Sequence, residues 1–460
     1  MERGHTRVPL NELNDQIHRL ADRLVAGVRT DEFFRIAILF TVVIWIVWGI
    51  NMSGPGRLDR SGQLKGADFL QFYVMGHLAT EQAPDVLYDP AAYAAATRRL
   101  VPEAVEFFPP VYPPQVSVLF QPLAALPYGW AIAVWWVVCI VLYGGACFVV
   151  WRTCGRLQPH GRLIGILAVG SPAFFNLIAH GQSSAVAWAL FAAMFVGLLH
   201  GYRLLAGLAL GLLIYKPQLG LAAGTVFLFS LDWPVVAGAA VAAVAELAIG
   251  WSHYEGVAWV GYLDVLSNPT SLAMIVEQKL HHTHSLRTWW ALLIPWRPLA
   301  LAVYGVSAVW VLWRLVVFWR SPAELRLRYS ALLLATVLVS PHVFVYDLVV
   351  ITPALLLLAD WSMTLGKRPS RSLIHVLLVA AVLTPVLGPL ATVTRLQLSV
   401  PVIFALFVIT SGQRQGLAGS VRSPSLPCSL GPVDDHLTNT PLERSLHVDT
   451  HIDVDPVPMT

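Results

Sequence analysis

An all-α protein that crosses a membrane many times is predicted by three observations. Of 460 residues, 56% are hydrophobic and 12% charged, and the mean hydropathy is +0.64. Apolar runs recur along the chain, about 11 to 12 in all, some long enough to span a bilayer and some only half-spanning. Arg and Lys collect in alternate turns between those runs, the pattern that places such turns in the cytoplasm. The net charge of +3 is small and scattered, so a nucleic-acid surface is excluded. Cys139, Cys147 and Cys154 lie in or just beyond one apolar run and Cys428 in a polar stretch, which gives neither a disulfide framework nor a zinc spacing.

The elements follow in order. Residues 1–32 form a leader in which Leu10, Leu13, Ile17, Leu20, Leu24 and Val28 repeat at helical spacing between Arg19, Arg23 and Arg29. This predicts an amphipathic helix on a membrane surface or against another helix. Phe33 to Met52 is long enough to cross, has no cleavage site, and is expected to stay as a signal anchor that delivers the chain outside. The membrane-embedded body is expected over residues 33–410, with outer loops at 53–112 and 251–290 that carry juxtamembrane helices. The first loop ends in Phe107 to Pro114, whose prolines break any helix. Between the loops, Tyr128 to Trp151, Leu163 to Ala179, Gln182 to Leu199, the run from Leu204 to Lys216, Leu219 to Leu231 and Pro234 to Gly250 alternate in direction. Leu299 to Trp319, Ser330 to Val339, Leu348 to Ala359, Leu373 to Leu390 and Leu398 to Ile409 complete the body. The runs flanking Lys216 are too short to span alone, so Lys216-Pro217-Gln218 is expected to line a recess opening outward. Residues 411–460 are rich in Ser, Pro, Thr, Asp and His without apolar period, as in a disordered cytoplasmic tail.

The costly polar residues gather at one rim of this topology. Asp68, His180, Gln182, Lys216, Gln218, the histidines at 281, 282 and 284, Arg287, His342, Tyr346 and Asp347 all fall at outer ends of segments. Ionisable groups at membrane depth mark functional sites by default. Each also has a plainer reading. Asp68 is placed to cap a helix beginning at Phe69; His180 and Gln182 to cap helix ends; Lys216 to snorkel; Asp347 to pair with Lys216 or Arg287. No cofactor is expected: a divalent metal at the His281 to His284 cluster is the alternative, and a solvated loop is the plainer reading, because adjacent histidines on a loop are not a metal-ligand spacing.

The succession GADFLQFYVMGHLATEQAPDVLYDP, FPPVYPPQVSVLFQPLAALP, AHGQSSAVAWAL, AGLALGLLIYKPQLGL and SPHVFVYDLVV resembles glycosyltransferase family 87. These are membrane enzymes of the GT-C architecture that take a sugar from a polyprenyl-phosphate carrier, typified by α-1,2-mannosyltransferases. The resemblance implies Asp68 as catalytic base and Lys216 on the donor phosphate. It places His342, Tyr346 and Asp347 in the late motif of the same site, and their shared rim adds Gln218, Gln182, His180 and Arg287 as candidate substrate-binding residues. Where the mannosyltransferases carry paired histidines this chain has Tyr346 and Asp347, a departure that bears directly on mannose as donor sugar. The implied setting is the cytoplasmic membrane, with both termini inside and the site outside, and with a lipid or glycan acceptor. Two other classes use similar residues. A transporter or lipid flippase would show matching interruptions in paired halves, which are not seen, and a non-catalytic envelope-assembly subunit would need no base.

Overall fold

The computed structural model describes residues 10–26, 30–104, 110–268, 280–366 and 369–413. The polar tail from 414 onward, the Phe107 to Pro109 part of the proline-rich motif and residues 269–279 of the second expected outer loop lie outside them. Among the described residues the chain is helical, and its sheet-like pairing is confined to isolated bridges, Leu58 with Leu64 and Thr283 with Phe344. Six helices among the described residues are long and apolar enough to cross a membrane: Asp31–Met52, Tyr128–Thr153, Trp233–Tyr254, Arg297–Trp319, Val345–Leu365 and Ser370–Thr394. Shorter apolar helices at Ser184–Leu199, Arg203–Tyr215, Pro217–Phe229, Val257–Ser267 and Ser399–Ser411 fill the half-spanning positions.

Burial orders these helices from centre to edge. Every residue from Tyr329 to Val339 is buried in the Leu325–Val339 helix, the signature of a helix surrounded by protein on all sides. It leads directly into Ser340-Pro341-His342, so the late polar motif starts from the most enclosed part of the body. By contrast, only 6% of the most apolar window of Asp31–Met52 is buried, which makes it a peripheral helix. The Arg203–Gly211 and Trp233–Tyr254 helices meet backbone to backbone. A Cβ on Gly207 would lie 2.2 Å from the Val235 carbonyl oxygen, and one on Gly238 2.3 Å from that of Leu204, a small-residue crossing suited to lipid surroundings. The leader helix, Leu10–Ala26, lies against Pro369–Leu383 and buries Ala21. Ile17, Leu20 and Leu24 stay exposed beside that contact.

Several boundaries differ from the sequence reading. The expected passage Leu163 to Ala179 is two helices, Gln158–Val169 and Pro172–His180, bent by 45°. Pro172 offers no N–H to continue the first helix, and a Cβ at Gly170 would lie 2.2 Å from Thr41 Oγ1. The loop expected at 251–290 holds the Val257–Ser267 and Leu286–Leu293 helices. The run Leu373 to Leu390 leaves α-helical geometry at Thr384, followed by Pro385, and tightens into a 3-10 turn through Leu390.

The two ends of the body are fixed by polar contacts at either end of the 26-residue helix Tyr128–Thr153, about 39 Å long. At one end the Tyr128 hydroxyl donates to the carbonyls of Lys65 and Gly66, at 2.9 and 3.2 Å. At the other, buried Asp360 accepts the backbone N–H groups of Arg156 and Leu157 and pairs with Arg326 at 3.3 Å. Two turns read as lying on the same side of the membrane thus converge on one carboxylate. Asp360→Ala strands the N–H groups of Arg156 and Leu157 and takes one partner from Arg326, which is partly exposed and keeps Glu324. It is expected to cost about 1–3 kcal/mol, seen as a lowered melting temperature in detergent, with Asp360→Asn milder because it still accepts from the backbone.

Candidate active site

Asp68 sits at the N-cap position of the Phe69–Thr80 helix, but its side chain makes no capping bond. The carboxylate points across to a different segment instead. Two left-handed glycines bring the segments together, Gly66 at φ +65° and Gly181 at φ +69°. A Cβ on either would meet Ile132 Cδ1, at 2.6 and 2.8 Å, and only glycine takes this conformation freely. With the chains that close, the Asp68 N–H donates to the His180 carbonyl at 3.0 Å.

The next three carbonyls of that corner are each held by a side chain from elsewhere. Trp135 Nε1 donates to Gly181 O at 2.9 Å, Cys139 Sγ to Gln182 O at 3.5 Å and the Tyr215 hydroxyl to Ser183 O at 3.0 Å. Gln182 is therefore fixed in space. Its Nε2 donates to Asp68 Oδ2 at 3.0 Å and to the Tyr346 hydroxyl at 3.2 Å, while its Oε1 accepts from the Tyr112 hydroxyl at 3.3 Å.

Below this layer lies a buried ion pair. The Lys216 backbone leaves the helical region, at φ −132° and ψ 69°, as the residue ahead of a proline tends to do. Its Nζ donates to Asp347 Oδ1 and to Ser184 Oγ, both at 2.9 Å, and Ser184 Oγ donates to the same carboxylate oxygen at 2.5 Å. The ammonium lies 5.8 Å from the Tyr112 ring centroid and 5.6 Å from that of Tyr346, within cation–π range. Lys216 is only 3% exposed, so two expectations are corrected: it neither snorkels nor lines an open recess. A lysine enclosed by an acid, a hydroxyl and two rings gains more from them than from reaching water. The ion pair with Asp347 is the reading realised, and the second Asp347 oxygen accepts the Phe344 N–H at 3.0 Å, which secures the 3-10 turn Val345–Ile351.

The remaining candidates form a more open rim. His180 is exposed, and its ring centroid lies 6.1 Å from that of Tyr346; Asp68, His342 and Arg287 are half-buried. Arg287 Nη1 donates to the Pro341 carbonyl at 3.4 Å, and the His342 ring packs edge-on to Phe344 at 4.5 Å. Gln218 is half-exposed in the first turn of its helix, outside the hydrogen-bonded set just described. Tyr112 and Ser184 belong to the network although neither was singled out. Tyr112 was marked only indirectly, by the prolines that fix its backbone, and Ser184 by following Gln182 at a helix start.

His284 anchors the late motif from outside. Its N–H donates to Val343 O at 2.8 Å, and its Nδ1 shares a hydrogen bond of 2.7 Å with Ser399 Oγ. Burial, reinforced by nearby His282, pushes its imidazole down to about 3. The folded protein keeps this ring neutral while the unfolded chain protonates it below pH 6.5. Its stabilisation is therefore complete above pH 6.5 and is lost as pH falls toward 3, by about 3 kcal/mol at pH 4.5. Melting temperatures at pH 7 and 4.5 are expected to differ less in His284→Asn, which keeps the bond to Ser399, than in the parent; an equal drop in both would remove His284 as the cause.

Residues 111–341 match the family model described as glycosyltransferase family 87. The chain belongs to glycosyltransferase family 87. No curated protein and no solved structure matches it. The matched stretch of this glycosyltransferase includes His180, Gln182, Lys216, Gln218 and Arg287 and stops short of Asp68, His342, Tyr346 and Asp347. Their association with the matched residues rests on the contacts above. A membrane glycosyltransferase needs a sugar donor, an acceptor and groups to move one proton and stabilise one leaving group, and the network offers residue types suited to each task.

Proposed function

We propose that the protein moves a sugar from a polyprenyl-phosphate carrier to a lipid or glycan acceptor at the extracytoplasmic face of the cytoplasmic membrane, by a single inverting displacement. The observation that carries this reading is the Asp68–Gln182 contact. A half-buried carboxylate is held by one oxygen at the mouth of a polar network, in place of the capping role its position would suit. Gln182 occupies Oδ2, and Oδ1 takes the proton of the acceptor hydroxyl as that oxygen attacks the anomeric carbon. The bond from the anomeric carbon to the phosphate oxygen breaks, and the electron pair leaves with the polyprenyl phosphate. The phosphate is already a good leaving group, so the two carboxylates required for glycoside hydrolysis reduce to one general base.

Lys216 stabilises the departing phosphate only by sharing its charge with Asp347, and His180, His342 and Arg287 on the rim supplement it. Tyr346 and Asp347 stand where the mannosyltransferases carry paired histidines, so mannose is one candidate donor among hexoses. The test is transfer by purified protein in nanodiscs from radiolabelled polyprenyl-phosphate sugars, with the anomeric configuration of the product determined. Inversion is expected. Retention, or no transfer from any such donor, would overturn the reading.

A further inference from the structure

The outward face of the Thr30–Met52 helix carries a feature that the reaction centre does not account for. A groove of about 880 Å³ runs along it, walled by Leu39, Val43 and Val47, bordered by Phe175 from the Pro172–His180 helix, and ended by Asn51 and Arg60. Its helical wall extends from Ile36 to Asn51, roughly 22 Å at 1.5 Å per residue. The walls are apolar and the one cation sits at one end. That end is a built structure: Asn51 Nδ2 donates to Asp59 Oδ2 at 2.8 Å, the Arg60 N–H donates to Asn51 O at 2.9 Å, and Arg60 Nε donates to Ser53 Oγ at 2.9 Å.

The polar end is also tied to the candidate active site. Trp48, on the groove wall, packs 5.4 Å from Trp136, and Trp136 Nε1 donates to Ile178 O. Two residues further on is His180, whose carbonyl accepts the Asp68 N–H.

We propose that this groove seats the hydrocarbon chain of the polyprenyl-phosphate donor, with Arg60 facing its phosphate. A single long chain ending in one anionic group matches a single apolar stripe ending in one guanidinium. The assignment rests on the donor proposed above. Because lipid tails are as apolar as the groove, the chain gains little by leaving the bilayer; the groove acts by alignment, presenting the donor headgroup at the end that Trp48 and Trp136 link to the His180 corner.

The test uses the full chain in phosphatidylcholine nanodiscs and a radiolabelled polyprenyl phosphate with a diazirine midway along its chain. Crosslinks are expected within residues 36–51, competed by unlabelled polyprenyl phosphate and not by an equal excess of phosphatidylglycerol. Val43→Trp, at a position 49% exposed where the larger ring meets no core, is expected to abolish them. Arg60→Glu is expected to lower their yield at least about fivefold. Crosslinks spread over other lipid-facing helices, or competed equally by phosphatidylglycerol, make the groove an ordinary lipid boundary and overturn the inference. If transfer is measurable while crosslinks fall elsewhere, the groove assignment alone fails. If neither transfer nor saturable crosslinking is seen anywhere on the chain, the donor itself is wrong and the assignment falls with it.

Discussion

Asp68→Asn is expected to lower sugar transfer by about 10²- to 10⁴-fold, the range for losing a general base, while leaving the fold unchanged. The two halves of that expectation have separate causes. The substituted amide keeps the shape of the carboxylate, and its oxygen still accepts from Gln182 Nε2, now 3.0 Å from Oδ2. The backbone bond from residue 68 to His180 O is untouched. Asp68 makes no capping bond, so no helix end loses a partner. An amide, however, does not take up the acceptor hydroxyl proton near neutral pH, and the attacking oxygen loses its base. The measurement is turnover of a radiolabelled polyprenyl-phosphate sugar beside a melting curve of the same preparation. Transfer within a few-fold of the parent would remove Asp68 from the chemistry; a large drop in melting temperature would make its role structural.

Much of this arrangement was legible in the sequence because membrane burial makes polar residues conspicuous. A lysine between two half-length apolar runs is rare enough to notice, and the proline after it foretold the break that the structure has at Lys216. The alternation of Arg-rich turns likewise foretold that Arg156 and Arg326 would share one end, where Asp360 binds both. What stayed hidden was partnership. Hydrophobic periodicity says which face of a helix is buried but not which distant side chain it meets, so neither the Gln182 bridge nor the choice of Lys216 over Arg287 as the partner of Asp347 could be read. Asp360 went unremarked because one acid near a basic turn looks like a solvated charge. It is 2% exposed, and three chain segments depend on it. The left-handed glycines at 66 and 181 were equally silent, since their purpose appears only when Ile132 is seen between the two segments.

Lys216→Met is expected to destabilise the protein by about 3–5 kcal/mol, the usual cost of stranding one member of a buried ion pair. Asp347 would keep its bonds from Ser184 and Phe344 but would hold an uncompensated charge at 3% exposure. That loss alone says nothing about catalysis. Adding Asp347→Asn removes the stranded charge, and the Lys216→Met/Asp347→Asn double variant is expected to recover most of the melting temperature, because well-packed neutral replacements of buried pairs are often nearly neutral. The two functions of Lys216 then separate. If the ammonium serves only to tie the Val345–Ile351 turn to Ser184, the neutral pair holds the same geometry and transfer returns with stability. If Lys216 shares its charge with the departing phosphate, as proposed, transfer stays low in a stable protein. The deficit then lies in turnover more than in donor affinity, since the charge it answers grows only as the bond to phosphate breaks. Recovery of turnover in the double variant would confine Lys216 to the scaffold and leave the phosphate to the rim cations and Arg60.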